Sequence, residues 1–228
     1  MMEIRPRKGV TAGHHWIGAS AAGAVFLLGA GYAIVLALGL HSLKSPQDPI
    51  GDPYFLLLEL LIVLTAPLMV IVMAAVHAYA TPDVKVCSLT ALAFMILLAG
   101  LTCSIHFVIL TVGRQIEATG SPWAPLLLSY RWPSVSYTLD ILAWDFFFAL
   151  SMLFAAPVFK QRGLETVLRI LLIASGVLSL AGLIGVPLAD MQVRMIGVLG
   201  YAVVSPFAFL LLSLVFGRAA AHFPRNHP

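Results

Sequence analysis

Read for polarity alone, the chain is six long apolar runs separated by short polar punctuation. The runs cover residues 17–40, 54–80, 86–113, 136–159, 167–188 and 193–217. Each exceeds the roughly 20 residues that a helix needs to cross a hydrocarbon core. No run alternates apolar and polar residues with period two, which argues against a β-barrel. The punctuation falls where turns belong: Lys44-Ser45-Pro46 through Pro53, Thr81-Pro82-Asp83, Gly120 through Pro133, and Lys160-Gln161-Arg162-Gly163. The pattern predicts an all-α fold, a polytopic transmembrane bundle of six helices occupying residues 1–228 as a single transmembrane domain. The stretch SPWAPLLLSY at 121–130 is apolar but too short and Pro-broken to span, and is expected to lie on the outer surface. Small residues recur in the first and fifth runs, which predicts close helix packing through Ala19/Gly23 and Ala181/Gly185.

Composition removes the soluble alternatives. Apolar residues make up 61% of the 228 and charged residues only 10%, against roughly 25% charged in a soluble domain. Mean hydropathy is +0.99. Too little polar surface remains to coat a water-soluble enzyme, and a nucleic-acid partner is excluded with it. Two cysteines, Cys87 and Cys103, exclude a disulfide scaffold and a four-thiolate iron–sulfur site. The first run follows Arg5, Arg7 and Lys8 as a signal peptide would, but its length exceeds the usual 7–15 residue core, so a retained span is expected.

Charge placement then orients the bundle. With the N-terminus inside, the inner segments carry Arg5, Arg7, Lys8, Lys85, Lys160, Arg162, Arg169, Arg218 and Arg225, and the outer ones only Lys44, Arg114, Arg131 and Arg194. That bias predicts both termini in the cytoplasm of a bacterial inner membrane. Trp16 is expected as an anchor at the inner interface, and Tyr54, Trp123, Tyr130, Trp132 and Tyr137 at the outer one.

An ionisable group at the centre of a span costs roughly 2.5–3.5 kcal/mol, so each one is a candidate functional residue. At about 1.5 Å per residue, Glu59 lies roughly 8 Å below the outer end of its span, His106 roughly 10 Å, Asp140 roughly 6 Å and Asp145 roughly 14 Å. Arg114, Asp190 and Arg194 fall at the outer rim, with Tyr201 one or two turns below it. The inner half offers essentially His77. A polar layer is therefore expected in the outer half, facing the bundle interior as a pocket.

Within that layer Asp145, set between Trp144 and Phe146, is the leading candidate for a general acid or base; its structural alternative is a hydrogen bond to His106 or Tyr201. Glu59 reads as a base, a relay, or a partner of Arg114 or Arg194. His106 reads as a proton shuttle, with Thr102 one turn away to satisfy a ring nitrogen. Asp140, Arg114, Trp144 and Tyr201 are the candidates for holding substrate. Asp140 and Asp145 lie roughly 140° apart around a helix and do not form an obvious dyad. Asp190 and Arg194, four residues apart, are expected to form an ordinary ion pair. Pro67 and Pro206 free carbonyls within their spans and mark cavities.

The chain lacks HExxH, Walker, Rossmann and Gly-x-Ser-x-Gly signatures. His77 and His106 are separated by roughly 25 Å along the bilayer normal, so a bis-histidine haem would need His14 or His15 beside His77. No metal and no cofactor are expected. The segments PYFLLLELLIVLTAPLM, AAVHAYA, LTCSIHFVILTVGRQ, WPSVSYTLDILAWDFFFALSMLFAAPVF and IGVLGYAVVSP resemble a group of uncharacterised bacterial six-span membrane proteins of similar length, a likeness that implies the bundle and carries no activity. The layout is more loosely similar to membrane-embedded isomerases of the emopamil-binding type and to fungal meroterpenoid cyclases, which use acidic residues inside a helical bundle on sterol-like or prenylated substrates. Expected is a metal-free acid–base enzyme, an isomerase or cyclase on a lipophilic isoprenoid- or sterol-like substrate, with a proton-coupled small transporter or ligand-binding membrane protein, or a structural subunit of a membrane complex, as alternatives. Its partners would be membrane lipid and a second copy of the chain as a homodimer.

Overall fold

A computed structural model describes residues 12–45, 48–130 and 132–222. Arg5, Arg7, Lys8, Arg131 and Arg225, counted above for orientation, lie outside the described residues. The described residues are helical and contain no strand. The helices are α1 (Gly13–His41), α2 (Tyr54–Tyr79), α3 (Pro82–Ile116), a short α4 (Ala124–Leu128), α5 (Val135–Val158), α6 (Leu164–Gly185) and α7 (Met191–Ala221). All but α4 are long and apolar enough to cross a membrane. Several helices run past the apolar pattern because polar residues continue the same turns, as Glu165 does at the start of α6 and Arg218 at the end of α7.

Local chemistry sets the ends. Ser134 caps α5 by accepting from the Tyr137 amide, and Pro157 falls in the tightened last turn that stops it. Gly163, at φ +78°, makes the reversal into α6 that a side chain would resist. Asp190 caps α7, accepting from the amides of Gln192 at 2.9 Å and Val193 at 3.3 Å. This corrects the expected Asp190–Arg194 ion pair: the carboxylate satisfies orphan amides of the first turn instead.

The six long helices pack in chain order, α1 on α2, α2 on α3, α3 on α5, α5 on α6 and α6 on α7. α7 returns to α1, which closes the ring. Met69, Met73, Met95, Leu98, Phe148, Met152, Phe209 and Phe216 fill its interior, all essentially inaccessible. The outer surface is the opposite of a soluble protein's: Val86 is 78% exposed, Leu27 68% and Phe107 61%. Large apolar side chains pointing outward along every span suit a hydrocarbon surround.

α6 and α7 approach most closely. Ser175, Ser179 and Gly182 of α6 face Gly197 and Gly200 of α7, and Ser175 Oγ donates to the Gly200 carbonyl at 2.9 Å. A Cβ on Gly197 would lie 1.9 Å from Asp145 Oδ1. The expected Ala19/Gly23 face packs on α7, where Ser213 Oγ donates to the Ala19 carbonyl at 2.8 Å. On α6 the contact runs through Gly182 and Gly185 rather than Ala181.

Pro67 and Pro206 each withhold a backbone donor within their spans. Pro67 has no N–H for the Val63 carbonyl, and the Cys103 thiol of α3 points at that oxygen from 3.8 Å. Pro206 likewise leaves the Ala202 carbonyl without its helical donor, and the backbone just before it widens into a π turn at Leu199–Val204.

Gly197→Ala is expected to destabilise the protein by about 1–3 kcal/mol through overpacking. Gly31→Ala is the control, since nothing lies within 4 Å of a Cβ there. Unfolding in mixed micelles measures both; equal losses would remove the close approach as the cause.

Candidate functional site

Of the buried ionisable residues, Glu59, His106, Asp145 and Arg194 lie toward the end of the bundle that carries the 42–53 and 114–134 connections, here the loop end. Three π turns lie in this half: Ile109–Gly113 in α3, Leu142–Phe147 in α5 and Leu199–Val204 in α7. A π turn adds one residue to a helical turn and re-aims the side chains around it, and such turns concentrate at functional sites. His106 lies three residues before the first, Trp144 and Asp145 lie in the second, and Tyr201 lies in the third.

His106 is the centre of one group. Its Nδ1 lies 2.8 Å from Glu59 Oε2 of α2, and its Nε2 lies 3.7 Å from Asp140 Oδ1 of α5. Glu59 and His106 are 4% and 5% exposed. The Tyr130 hydroxyl, from the connection after α4, comes within 2.8 Å of Nδ1 and 3.1 Å of Nε2. Three helices and one loop thus place two carboxyl groups and a phenol around a single imidazole. The loop is pinned to α5: Ser134 Oγ donates to the Ser129 carbonyl, and Ser136 Oγ donates to the Leu127 carbonyl at 2.7 Å.

Arg194 is the centre of the other. Its Nη2 and Nε donate to Asp145 Oδ2 at 3.0 and 3.3 Å, and its Nη1 donates to the Tyr137 hydroxyl at 3.0 Å. The guanidinium also lies over the rings of Tyr137 and Tyr201, at 5.0 and 5.8 Å from their centroids. Asp145 is wholly buried and Arg194 is 4% exposed. The free oxygen of Asp145, Oδ1, has no hydrogen-bond partner and rests in the gap left by Gly182 and Gly197. Trp144 packs on Tyr201 at 5.4 Å.

The structure therefore brings the candidates together in two sets. Glu59, His106 and Asp140 meet; Asp145 and Tyr201 flank Arg194, with Trp144 packed behind Tyr201. Asp145 bonds to neither His106 nor Tyr201 but to Arg194, and Glu59 pairs with His106 rather than with an arginine. Thr102 Oγ1 has no hydrogen-bond partner, so it does not serve the imidazole. Arg114 stands apart and half-buried, with Nη2 donating to Asp52 Oδ1 at 2.7 Å and Oδ2 at 2.8 Å. Tyr130 and Tyr137, expected as interface anchors, turn inward to His106 and Arg194. No sequence motif flagged them; the signal that existed was an aromatic hydroxyl at the same depth as the acids.

The other end of the bundle holds more than His77. Glu165, 7% exposed, accepts from the Tyr79 hydroxyl at 2.5 Å and the Gln161 amide at 2.9 Å. His15 packs edge-on to Tyr79, at 5.9 Å between ring centroids. Nδ1 of His77 lies 2.9 Å from Ser88 Oγ. The expectation that the inner half is nearly free of buried ionisable groups is thus corrected by Glu165, which sits in a helical turn that the apolar run did not include. Among the described residues, no three His, Cys, Asp or Glu side chains are placed to hold a metal ion.

No protein-family model matches the chain, and neither a curated protein nor a solved structure matches it.

Removing one partner of a buried ion pair leaves an uncompensated charge, at a cost of about 3–5 kcal/mol. Arg194→Met is expected to lose that much stability, and the pair Asp145→Leu with Arg194→Met to recover most of it. If the double variant is no more stable than the single one in micellar unfolding, the pair is not the tie between α5 and α7. Burial, reinforced by the charges of Glu59 and Asp140, pushes the Tyr130 phenol well above its ordinary value. The folded state favours the neutral phenol, so this contribution is complete at neutral pH and is withdrawn as pH climbs past about 10. Tyrosinate absorbance, taken as wild type minus Tyr130→Phe, should rise at more alkaline pH than that of a free tyrosine; a midpoint near 10 would put Tyr130 in water.

Proposed function

We propose that the protein is an integral membrane enzyme that moves protons on a lipophilic isoprenoid- or sterol-like substrate, an isomerase or cyclase in which Glu59, His106 and Asp140 do the acid–base work. The observation that carries this reading is the imidazole of His106, shielded from water, with a carboxyl group near each nitrogen and the Tyr130 hydroxyl against it. Such a set can give a proton to one carbon and take a proton from another, and it is unchanged when both steps are complete. In a double-bond migration one C–H bond forms and a neighbouring one breaks, while the electron pair of the broken bond becomes the new C=C. Nothing is oxidised or reduced, so no co-reactant is needed. A cyclisation begins with the same protonation and ends with the same deprotonation. A low-dielectric surround strengthens each of these interactions.

Asp145 has a different part in this reading. Its charge is committed to Arg194, and it holds α5 and α7 so that Asp140, just over one turn away, meets His106. Trp144 and Tyr201 wall the same side. Arg114, tied to Asp52, marks the rim.

The positive-inside rule supports the orientation. Lys85, Lys160, Arg162, Arg169 and Arg218 lie at the end where α1 begins. At the loop end, Arg114 and Arg194 are committed to Asp52 and Asp145. We therefore place both ends of the chain in the cytoplasm of a bacterial inner membrane and the His106 group in its outer half.

The test works before the substrate is identified. Reconstituted protein is incubated in D2O with a total isoprenoid lipid extract, and carbon-bound deuterium is read by mass spectrometry. Wild type should add deuterium to a subset of lipids, and His106→Gln or Glu59→Gln should do so about 10²–10⁴-fold more slowly. No incorporation by wild type, or full incorporation by His106→Gln, would refute the proposal. A proton-coupled transporter using the same residues would acidify vesicles and leave carbon unlabelled.

A further inference from the structure

The Tyr130 hydroxyl lies against both nitrogens of His106, 2.8 Å from Nδ1 and 3.1 Å from Nε2, with the two ring centroids 5.4 Å apart. We propose that Tyr130 is a displaceable cap on this imidazole, carried by residues 124–130, which lifts to admit substrate and closes again to exclude water. The inference rests on the proton-moving role given to His106 and adds how access to that group is controlled.

Three observations lead to it. First, with Tyr130 in place the imidazole has no open nitrogen. Nδ1 faces Glu59 Oε2 at 2.8 Å, Nε2 faces Asp140 Oδ1 at 3.7 Å, and the one hydroxyl lies within bonding distance of both nitrogens. A reacting group must come within hydrogen-bond reach of the ring to exchange a proton with it, and the phenol oxygen already holds that position. Glu59 and Asp140 stand on the long helices α2 and α5, whereas Tyr130 stands on a connection, so the phenol is the neighbour that can leave without moving a span. Second, the segment covers little. No residue from 121 to 130 is buried, and Trp123, Leu126 and Leu127 are exposed. A segment with few buried contacts opens at low cost. Third, its polar ties are local except for one. Ser129 Oγ donates to the Pro125 carbonyl at 2.6 Å, Ser134 Oγ donates to the Ser129 carbonyl, and Ser136 Oγ donates to the Leu127 carbonyl at 2.7 Å. These bonds hold the segment to itself and to the first turn of α5. Among the described residues, its only hydrogen bonds to another span run from Tyr130 to His106. The segment is thus hinged on α5 and latched by a single hydroxyl.

A latch and a catalytic phenol predict opposite kinetics. Substrate competes with the latch, so closure raises the apparent KM by the reciprocal of the open fraction and leaves kcat alone. Reconstituted full-length Tyr130→Phe, incubated with the isoprenoid lipid extract in D2O, should reach half-maximal deuterium incorporation at about 2–10-fold less lipid, the worth of one hydrogen bond, with the maximal rate unchanged. An unchanged half-maximal concentration, or a maximal rate that falls toward that of His106→Gln, would overturn the proposal. Position is read separately, by pulsed electron paramagnetic resonance between spin labels on Leu127→Cys and Leu57→Cys, both at exposed sites, with Cys87 and Cys103 replaced by Ser. Tyr130→Phe should add a second, longer separation to the one that dominates with Tyr130 present; identical distributions would also overturn the proposal. The two readouts part it from the acid–base reading. A latch released by Tyr130→Phe in a protein whose wild type incorporates no deuterium keeps the cap and removes His106 as the catalytic centre. Incorporation that His106→Gln abolishes, with separations that Tyr130→Phe does not move, keeps His106 and removes the cap.

Discussion

The buried contact between Asp145 and Arg194 is the interaction around which the loop-end half of the bundle is built. Neither charge can stand alone in an apolar surround, so α5 and α7 are held at one relative rotation and one relative height. Everything nearby is arranged to permit this. Gly182 and Gly197 remove the side chains that would displace the carboxylate, Tyr137 takes a third arginine donor, and the rings of Tyr137 and Tyr201 cover the guanidinium. With α5 fixed in this way, Asp140 is presented to α3 and not to α7.

That division separates two jobs that a composition count merges. One carboxylate of α5 neutralises a cation and is closed in by backbone. The other, five residues earlier, keeps a side chain 16% exposed and faces an imidazole that a second carboxyl group also touches. The first arrangement makes a rigid wall, and the second can exchange protons. A π turn beginning two residues after Asp140 lets one helix aim two acids at different neighbours.

The number of long apolar helices was legible in the sequence, as was the placement of Glu59, His106 and Asp140 toward one end of the bundle, because helix length and helical rise are fixed quantities. Partners were not, because they depend on rotation about each helix axis, which hydropathy does not specify. The three π turns shift that rotation within α3, α5 and α7, so an ideal helical wheel fails at the residues that matter. Arg194 was assigned to Asp190 by spacing, yet Asp190 sits on amides that a helix start leaves open, and those amides are invisible to a side-chain pattern. Tyr130 lay in a connection with no periodicity to read. Glu165 fell just outside an apolar run whose helix begins a turn earlier.

Ring closure has a consequence for how the chain is made. α1 emerges from the ribosome well before its partner α7, so the two lateral faces of α1 cannot both be covered until α7 has been made. α5 must likewise enter the bilayer carrying Asp145 before Arg194 exists to neutralise it. During that interval the helix is at its least favourable in lipid, and the arrival of α7 both pairs the acid and shuts the ring. A truncated chain ending before α7 would therefore hold an orphaned carboxylate and an open flank on α1, the features by which membrane quality control distinguishes unfinished proteins from finished ones.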